Sequence, residues 1–274
     1  MKTLVTAHSG ADHTEENSVG FLWHAFATAA DAVEVDVRML AGELVLGHDA
    51  VGVTHFAVSL RQAFTMLQED RSGKRMNCDL KEAGLEKPVY ELALETEVVD
   101  RILYTGCVSV ERMRAEGLLQ KVEVWLNIEE AVPALRTMWE AAQGAARGGA
   151  TSSALRAPSP QGEGSESAVT WNAGDRCEEL RGRSECPSVT SYVRQTCEIC
   201  VDAGIQVLNV PKEIVDDTFC EILKEYGLQA SVWTVNDAEE ARRLMQLPQV
   251  MNITTRNVAE MTKGTVLNVT LGSR

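Results

Sequence analysis

Short runs of β-branched and other apolar residues alternate with segments of helical periodicity along most of the chain. Repeated alternation of strand and helix favours a parallel sheet covered by helices. Eight strands are predicted, and this count favours closure into a (β/α)8 barrel of the TIM type. They cover residues 3–7, 32–37, 75–81, 101–105, 121–127, 205–210, 228–235 and 251–254, with residues 43–47 extending a hairpin beyond the second strand. The predicted helices cover residues 20–30, 59–68, 92–100, 109–116, 128–143, 191–203, 215–226 and 237–246.

The segment 144–187 interrupts this alternation. It is rich in Gly, Ser, Ala and Arg, and it shows neither helical nor strand periodicity. A segment of this composition has too little apolar surface to offset the entropy of ordering it, so we predict a flexible insertion within the outer helix layer. Residues 1–274 are then expected to form a single barrel domain that this insertion interrupts.

Charge and targeting signals limit the classes of partner. The formal net charge is −14, and a surface of this kind repels nucleic acid. A small phosphodiester substrate is compatible with it if a bound cation supplies local positive charge. The N-terminal residues do not have the pattern of a signal peptide, and no apolar run is long enough to span a bilayer. We therefore expect a cytoplasmic protein.

Seven cysteines without a secretory signal favour free thiols. Cys197 and Cys200 form a CxxC pair within a predicted helix, and the simplest interpretation is that they share one buried helix face. A zinc cluster that adds Cys177 and Cys186 is the alternative, but the spacing of that pair is not typical of zinc ligands.

The second predicted strand carries two carboxylates on one face. Side chains alternate along a strand, so Glu34 and Asp36 point together, while the valines between and beside them point to the helix layer. Asp79 and Lys81 share a face of the third strand in the same way. Carboxylates inside a barrel repel each other, and a hard divalent cation such as Mg²⁺ or Ca²⁺ would remove that cost. The alternative is neutralisation by a neighbouring cation, either Arg38 or Lys81.

Two histidines and a tryptophan lie where predicted strands end. His8 ends the first strand, and His48 ends the hairpin after the second. In a barrel the carboxyl ends of the strands gather at the catalytic mouth, and histidine is the usual proton shuttle near neutral pH. Trp233 ends the seventh strand and can stack on an organic group, although core packing is the commoner role of a strand tryptophan.

In this order and spacing, these residues resemble the motifs of the glycerophosphodiester phosphodiesterase family. The matching segments are Ala7-His8, Glu16-Asn17-Ser18, Glu34-Val35-Asp36-Val37, Leu46-Gly47-His48-Asp49, Asn77-Cys78-Asp79-Leu80-Lys81, Gly227-Leu228, Val232-Trp233-Thr234-Val235-Asn236 and Ile253-Thr254-Thr255. The resemblance runs from the first strand to the eighth and omits only the insertion. It implies a barrel enzyme that hydrolyses glycerophosphodiesters to glycerol 3-phosphate and an alcohol, with Mg²⁺ or Ca²⁺ as cofactor. The implied roles are general acid and base for His8 and His48, metal ligands for Glu34, Asp36 and Asp79, and substrate contacts for Lys81, Trp233, Glu16 and Asn17.

The sequence departs from the family pattern at three positions. The family usually has an arginine that grips the phosphate directly after its first histidine, and Ser9 stands there instead. Glu15 replaces a proline, and Asp79 is one methylene shorter than the usual glutamate. Loss of the arginine motivates an alternative function, a non-catalytic barrel that binds phosphorylated ligands. A metal-free scaffold, with Lys81 as the counter-ion of the carboxylates, is a third interpretation.

Overall fold

Hydrogen bonds join eight parallel strands into a closed barrel in the computed structural model, which describes residues 2–50, 57–131 and 189–263. The barrel order is β1, β2, β4, β5, β6, β7, β8 and β9, and β9 pairs with β1 to close the ring. The short strand β3 is antiparallel to the outer part of β2. The strands are β1 Leu4–Ala7, β2 Ala32–Leu40, β3 Glu43–Leu46, β4 Arg75–Leu80, β5 Ile102–Gly106, β6 Glu123–Asn127, β7 Val207–Pro211, β8 Gln229–Trp233 and β9 Val250–Thr255. The predicted TIM barrel is confirmed.

Helices follow the strands and form the outer layer. They are α1 Val19–Ala27, α2 Leu60–Glu69, α3 Glu86–Glu95, α4 Val110–Ala115, α5 Ile128–Ala131, α6 Val189–Ala203, α7 Asp217–Tyr226, α8 Ala238–Leu244 and α9 Val258–Met261, with 3-10 turns at Ala11–His13, Val99–Arg101 and Lys212–Ile214. Side-chain oxygens accept hydrogen bonds from the backbone N–H groups at the start of several helices, as Ser18 does for α1 and Asp237 for α8. These caps explain where those helices begin.

Alternation of side chains along the strands separates an apolar outer face from a polar interior. On β2, Val33, Val35 and Val37 are fully buried in the main hydrophobic core between strands and helices. The interior face instead carries hydrogen-bonded polar side chains, such as Thr105, which donates to Asn77 Oδ1 at 2.9 Å. The polar interior therefore lies on the face that the pattern of β2 predicts for its carboxylates.

One predicted helix differs from the structure, and another is described only in part. The helix predicted at 92–100 runs instead over Glu86–Glu95, because Pro88 is tolerated in a first turn, where its missing N–H has no intrahelical partner to lose. The helix predicted at 128–143 is described only over its first turn, Ile128–Ala131. The remainder of that prediction, and the insertion predicted at 144–187, lie outside the described residues.

The cysteines and the lengths of the helices can also be compared with the predictions. Cys197 and Cys200 are both buried free thiols on α6, in agreement with the interpretation of one buried helix face, while Cys177 and Cys186 lie outside the described residues. Within the part of the chain that the structure describes, no helix combines the length and the apolar character needed to cross a membrane.

Candidate active site at the mouth of the barrel

Three carboxylates converge at the carboxyl ends of adjacent strands. Glu34 and Asp36 lie on β2 and Asp79 lies on β4, where it is the register partner of Asp36. One oxygen from each carboxylate lies within 4.8 Å of the others. Glu34 and Asp36 are buried, and Asp79 is partly buried. The strand parity in the sequence therefore predicted a real cluster of acidic groups.

Backbone and amide groups hold two of these carboxylates in place. The N–H of Ser9 donates to Glu34 Oε2 at 2.8 Å. Asn17 makes two bonds with Asp36, because its Nδ2 donates to Asp36 Oδ2 at 2.7 Å and its Oδ1 accepts from the Asp36 N–H at 3.0 Å. These bonds fix the orientation of the oxygens before any ligand binds, which is the role of supporting groups around a metal centre.

The third carboxylate packs against a glycine. Gly106, at the end of β5, has φ of +77°, a conformation that side chains with a Cβ rarely adopt. A Cβ at this position would lie 2.1 Å from Asp79 Oδ1 and 2.4 Å from the carbonyl oxygen of Leu80. Only glycine therefore leaves space for the Asp79 carboxylate in its observed position.

The electrostatics of the cluster favour a bound cation. Burial raises the pKa of Glu34, and the neighbouring charges of Asp36 and Asp79 raise it further. Burial also raises the pKa of Asp79. Burial alone would raise the pKa of Asp36 too, but Lys81 and the hydrogen bond from Asn17 outweigh it and lower that pKa. Ionisation of the whole cluster thus requires positive charge close by.

Lys81 supplies part of that positive charge. Its Nζ lies 2.8 Å from Asp36 Oδ1 and 2.7 Å from Asp79 Oδ2. Of the two counter-ions considered from the sequence, Arg38 instead donates to the carbonyl oxygen of His48 at 3.0 and 2.7 Å. One ammonium against three carboxylates leaves net negative charge, and Asp36 Oδ1 is buried without a hydrogen bond in spite of its ion-pair contact. Hard oxygen donors with uncompensated charge fit a divalent cation such as Mg²⁺ or Ca²⁺.

Both candidate histidines line the same cavity as Glu34 and Asp79. His8 Nδ1 donates to the carbonyl oxygen of Ser9 at 2.9 Å, which leaves Nε2 as the ring nitrogen for proton exchange. Burial lowers the pKa of His8, and the positive charges of Arg256 and Lys81 add to this effect. His48 is more exposed, and its Nδ1 lies 3.3 Å from Asp49 Oδ1. The two rings therefore occupy a partly buried and an exposed position at one mouth.

The cavity has a volume of about 380 Å³, enough for a small organic phosphodiester. Trp233 forms part of its wall, and its buried Nε1 has no hydrogen-bond partner among the described residues. Other residues of the wall, beyond those introduced above, are Asn77, Leu80, Thr105, Cys107, Asn127, Glu129, Glu130, Asn209, Thr234, Thr254 and Arg256. The wall thus combines one aromatic surface with many hydrogen-bonding groups.

The remaining sequence candidates lie at the edge of this arrangement. Asn17 contacts Asp36 rather than the cavity, and Glu16 forms an ion pair with Arg256, with its Oε1 2.6 Å from Nη2. Ser9 is fully buried, and its Oγ accepts from the Asn17 N–H at 2.8 Å. It therefore contributes to the support of Asp36 and does not face the cavity.

Sequence reasoning missed several residues of the cavity wall. Arg256 directly follows β9, and Glu129 and Glu130 lie in α5, which directly follows β6. Burial raises the pKa of Glu129, although its Oε1 accepts from Asn127 Nδ2 at 2.7 Å. Only their positions in the sequence could have identified these residues, because any charged residue just after a barrel strand can lie at the mouth.

No protein-family model and no curated protein matches this sequence, but solved structures do. A glycerophosphodiester phosphodiesterase from Parabacteroides distasonis ATCC 8503 matches with a TM-score of 0.62 at 17% identity, over 96% of each chain. Another, from Agrobacterium tumefaciens str. C58, matches with a TM-score of 0.59 at 14% identity, over 95% of this chain and 99% of the other. An Oleispira antarctica phosphodiesterase, solved in complex with the product sn-glycerol-3-phosphate, gives 0.59 at 15% identity over 96% of each. The protein therefore has the fold of the glycerophosphodiester phosphodiesterases.

Proposed function

We propose that the protein is a metal-dependent phosphodiesterase that hydrolyses glycerophosphodiesters, or a closely related small phosphodiester, to glycerol 3-phosphate and an alcohol. The observation that carries this proposal is the cluster of Glu34, Asp36 and Asp79, because two of its members, Glu34 and Asp79, line one cavity with His8 and His48. The likeness to solved phosphodiesterases over nearly the whole chain supports the same reaction class.

In the proposed reaction the two histidines move the protons. One of His8 and His48 accepts a proton from the nucleophile, which is water or a hydroxyl group of the substrate. The other donates a proton to the leaving alkoxide oxygen as the phosphorus–oxygen bond breaks. If a substrate hydroxyl attacks, a cyclic phosphate forms, and water then opens it to glycerol 3-phosphate. Either route adds one water molecule across the bond.

The other residues of the cavity bind and orient the substrate. Glu34, Asp36 and Asp79 would hold Mg²⁺ or Ca²⁺, which supplies positive charge to the phosphoryl oxygens. The Lys81 ammonium lies against the same carboxylates and can approach an anionic substrate. Trp233 offers an aromatic surface to the organic part of the substrate. Asn17 keeps the Asp36 carboxylate in place.

Hydrolysis of several glycerophosphodiesters, measured with added Mg²⁺ or Ca²⁺ and again with EDTA, tests this proposal. We expect turnover that EDTA abolishes. His8→Ala and His48→Ala should each lower kcat by at least about a hundredfold, the scale of general acid–base catalysis, while metal binding measured by calorimetry persists. His24→Ala is the matched control, because His24 contacts Asp12 outside the cavity. Absence of turnover on every phosphodiester tested would contradict the proposal.

A second candidate function is a non-catalytic barrel that binds phosphorylated ligands. The two short contacts of Lys81 with Asp36 and Asp79 favour it, since an internal ammonium can partly replace a metal ion. Its signature would be binding of glycerol 3-phosphate or inorganic phosphate without turnover. Elemental analysis of the purified protein separates a metal-bound form of this barrel from the metal-free scaffold.

A further inference from the structure

We propose that Arg256 binds the phosphate group of the ligand. It would replace the arginine that glycerophosphodiester phosphodiesterases usually carry after their first histidine, where this chain has Ser9. This inference rests on the proposed function in one respect, namely that a phosphate-containing molecule occupies the cavity. It assigns a binding role to a residue outside the family motifs recognised in the sequence.

The position of Arg256 is set by the closure of the barrel. β9 pairs with β1, and the N–H of His8 donates to the carbonyl oxygen of Thr255 at 2.9 Å. Arg256 therefore leaves its strand beside His8. Its own N–H donates to Asn236 Oδ1 at 2.9 Å, and its carbonyl oxygen accepts from the Asp12 N–H at 2.6 Å. The backbone is thus anchored on both sides, and the side chain extends into the cavity wall.

Position 9 itself cannot serve a phosphate in this chain. Ser9 is fully buried, and its N–H and Oγ are both used, by Glu34 and Asn17 respectively. A phosphate contact on this side of the cavity therefore needs another side chain. Arg256 is adjacent in space, because it follows the strand that pairs with the one preceding Ser9.

The charges around the cavity single out Arg256. Among the described residues of the wall, only Lys81 and Arg256 carry a permanent positive charge. Lys81 is engaged by two buried carboxylates, whereas Arg256 contacts the half-exposed Glu16 at the rim. Exposed ion pairs are worth little, so a phosphate can replace Glu16 without a large penalty. The planar guanidinium fork also matches two phosphate oxygens.

Binding of sn-glycerol 3-phosphate, measured by calorimetry with and without Ca²⁺, tests the proposal. Arg256→Gln should weaken binding by about ten- to a hundredfold, the scale of a charge-assisted contact, and Arg256→Lys should recover part of the loss. Glu16→Gln should strengthen binding by about two- to fivefold, because it removes a competitor for the guanidinium. The matched control is Arg114→Gln, which removes an exposed arginine paired with Asp202 on the outer helices and should change nothing.

Kinetics separate this inference from the proposed function. If the wild type hydrolyses a glycerophosphodiester, Arg256→Gln should raise KM and lower kcat/KM by the same ten- to hundredfold range. If Arg256→Gln keeps the KM and the product affinity of the wild type, the inference is wrong, while the proposed enzyme activity is unaffected. Product binding that depends on Arg256, without any turnover, would support the inference and reject the enzyme. If Arg256→Gln and Glu16→Gln lose the same thermal stability and bind glycerol 3-phosphate like the wild type, the inference is also wrong. The two residues then form only an ordinary surface ion pair.

Discussion

Asp70 at the amino end of the barrel lies in the opposite environment to Glu34 and Asp79 at the mouth. At the amino end, burial alone would raise the pKa of Asp70, but hydrogen bonds from Ser72 and Arg101 outweigh it and lower that pKa. At the mouth, burial raises the pKa of both Glu34 and Asp79. The folded chain thus favours the charged form of one carboxylate and disfavours that of the others. Charge on Asp70 therefore stabilises the fold, whereas charge on Glu34 and Asp79 costs stability unless positive charge lies beside them.

The interior of the barrel shows the same division. Towards the amino end, Leu103, Trp125 and Val207 form a small apolar cluster inside the ring, with Met251 against it. Two residues further along the same strands, Thr105 and Asn127 line the cavity. The barrel interior is thus apolar towards the amino end and polar towards the mouth, which separates the residues that pack the core from those that line the cavity.

The largest effect on stability is expected at the apolar end. Trp125 is almost completely buried, and its Nε1 donates to Glu123 Oε1 at 2.6 Å. Trp125→Ala should lower the free energy of unfolding by about 3–5 kcal/mol, because it leaves a cavity in the core. Urea denaturation measures the change. Trp23, which is 65% exposed, provides the control, and Trp23→Ala should cost less than about 0.5 kcal/mol.

A pair of glycine substitutions tests whether the mouth is packed around its ligand site. Gly106 and Gly117 both have positive φ, but a Cβ at Gly106 would strike Asp79 Oδ1 while one at Gly117 would meet nothing within 4 Å. Gly117→Ala should cost about 1 kcal/mol of backbone strain and leave metal affinity unchanged. Gly106→Ala should cost about 2–4 kcal/mol and weaken Ca²⁺ binding, since the carboxylate must move. Similar metal affinities in both variants, measured by calorimetry, would show that the position of Asp79 does not matter.

Neutralising a carboxylate at the mouth should raise the free energy of unfolding, whereas the substitutions above lower it. Glu34→Gln removes one of three mutually repelling charges and keeps an oxygen that can accept from the Ser9 N–H. In EDTA we expect the free energy of unfolding to rise by about 1–2 kcal/mol, while metal affinity and hydrolysis are lost. Denaturation curves with and without Ca²⁺ report both effects. A loss of stability in EDTA would mean that Glu34 is a structural residue.

Strand geometry determines which residues of the mouth can be predicted from the sequence. Parity places Glu34, Asp36 and Asp79 on one face, and that is sufficient to predict their convergence, because adjacent strands of a barrel share a register. The counter-ion Lys81 follows from the same parity. The strand order also requires no more than the alternation of strand and helix.

The remaining features depend on contacts that no local pattern contains. Glu16 and Arg256 are 240 positions apart in the chain, and only closure of the barrel brings them together. The buried direction of Ser9 depends on its bonds to Glu34 and Asn17, which a strand pattern ending at His8 does not specify. The chain leaves the strand at His8, so alternation along β1 does not predict the direction of Ser9.

The smallest expected effect, and the sharpest test of the contrast between the two ends, concerns Asp70. Its carboxylate accepts from Arg101 Nη2 at 2.6 Å and from Ser72 Oγ at 2.7 Å, and its pKa in the folded chain is lowered. A lowered pKa contributes stability above the unfolded value of about 3.9, and this contribution is lost as the pH falls through the folded value. Asp70→Asn should therefore destabilise the protein by about 1–2 kcal/mol at pH 7 and by progressively less below about pH 4. Asp202 is the matched control, since it also lies 2.6 Å from an arginine, Arg114, but is 74% exposed. Asp202→Asn should change stability by less than about 0.5 kcal/mol at any pH, because water screens an exposed pair. Urea denaturation between pH 3 and 7 measures both variants, and equal changes would show that burial does not distinguish the carboxylates of the amino end.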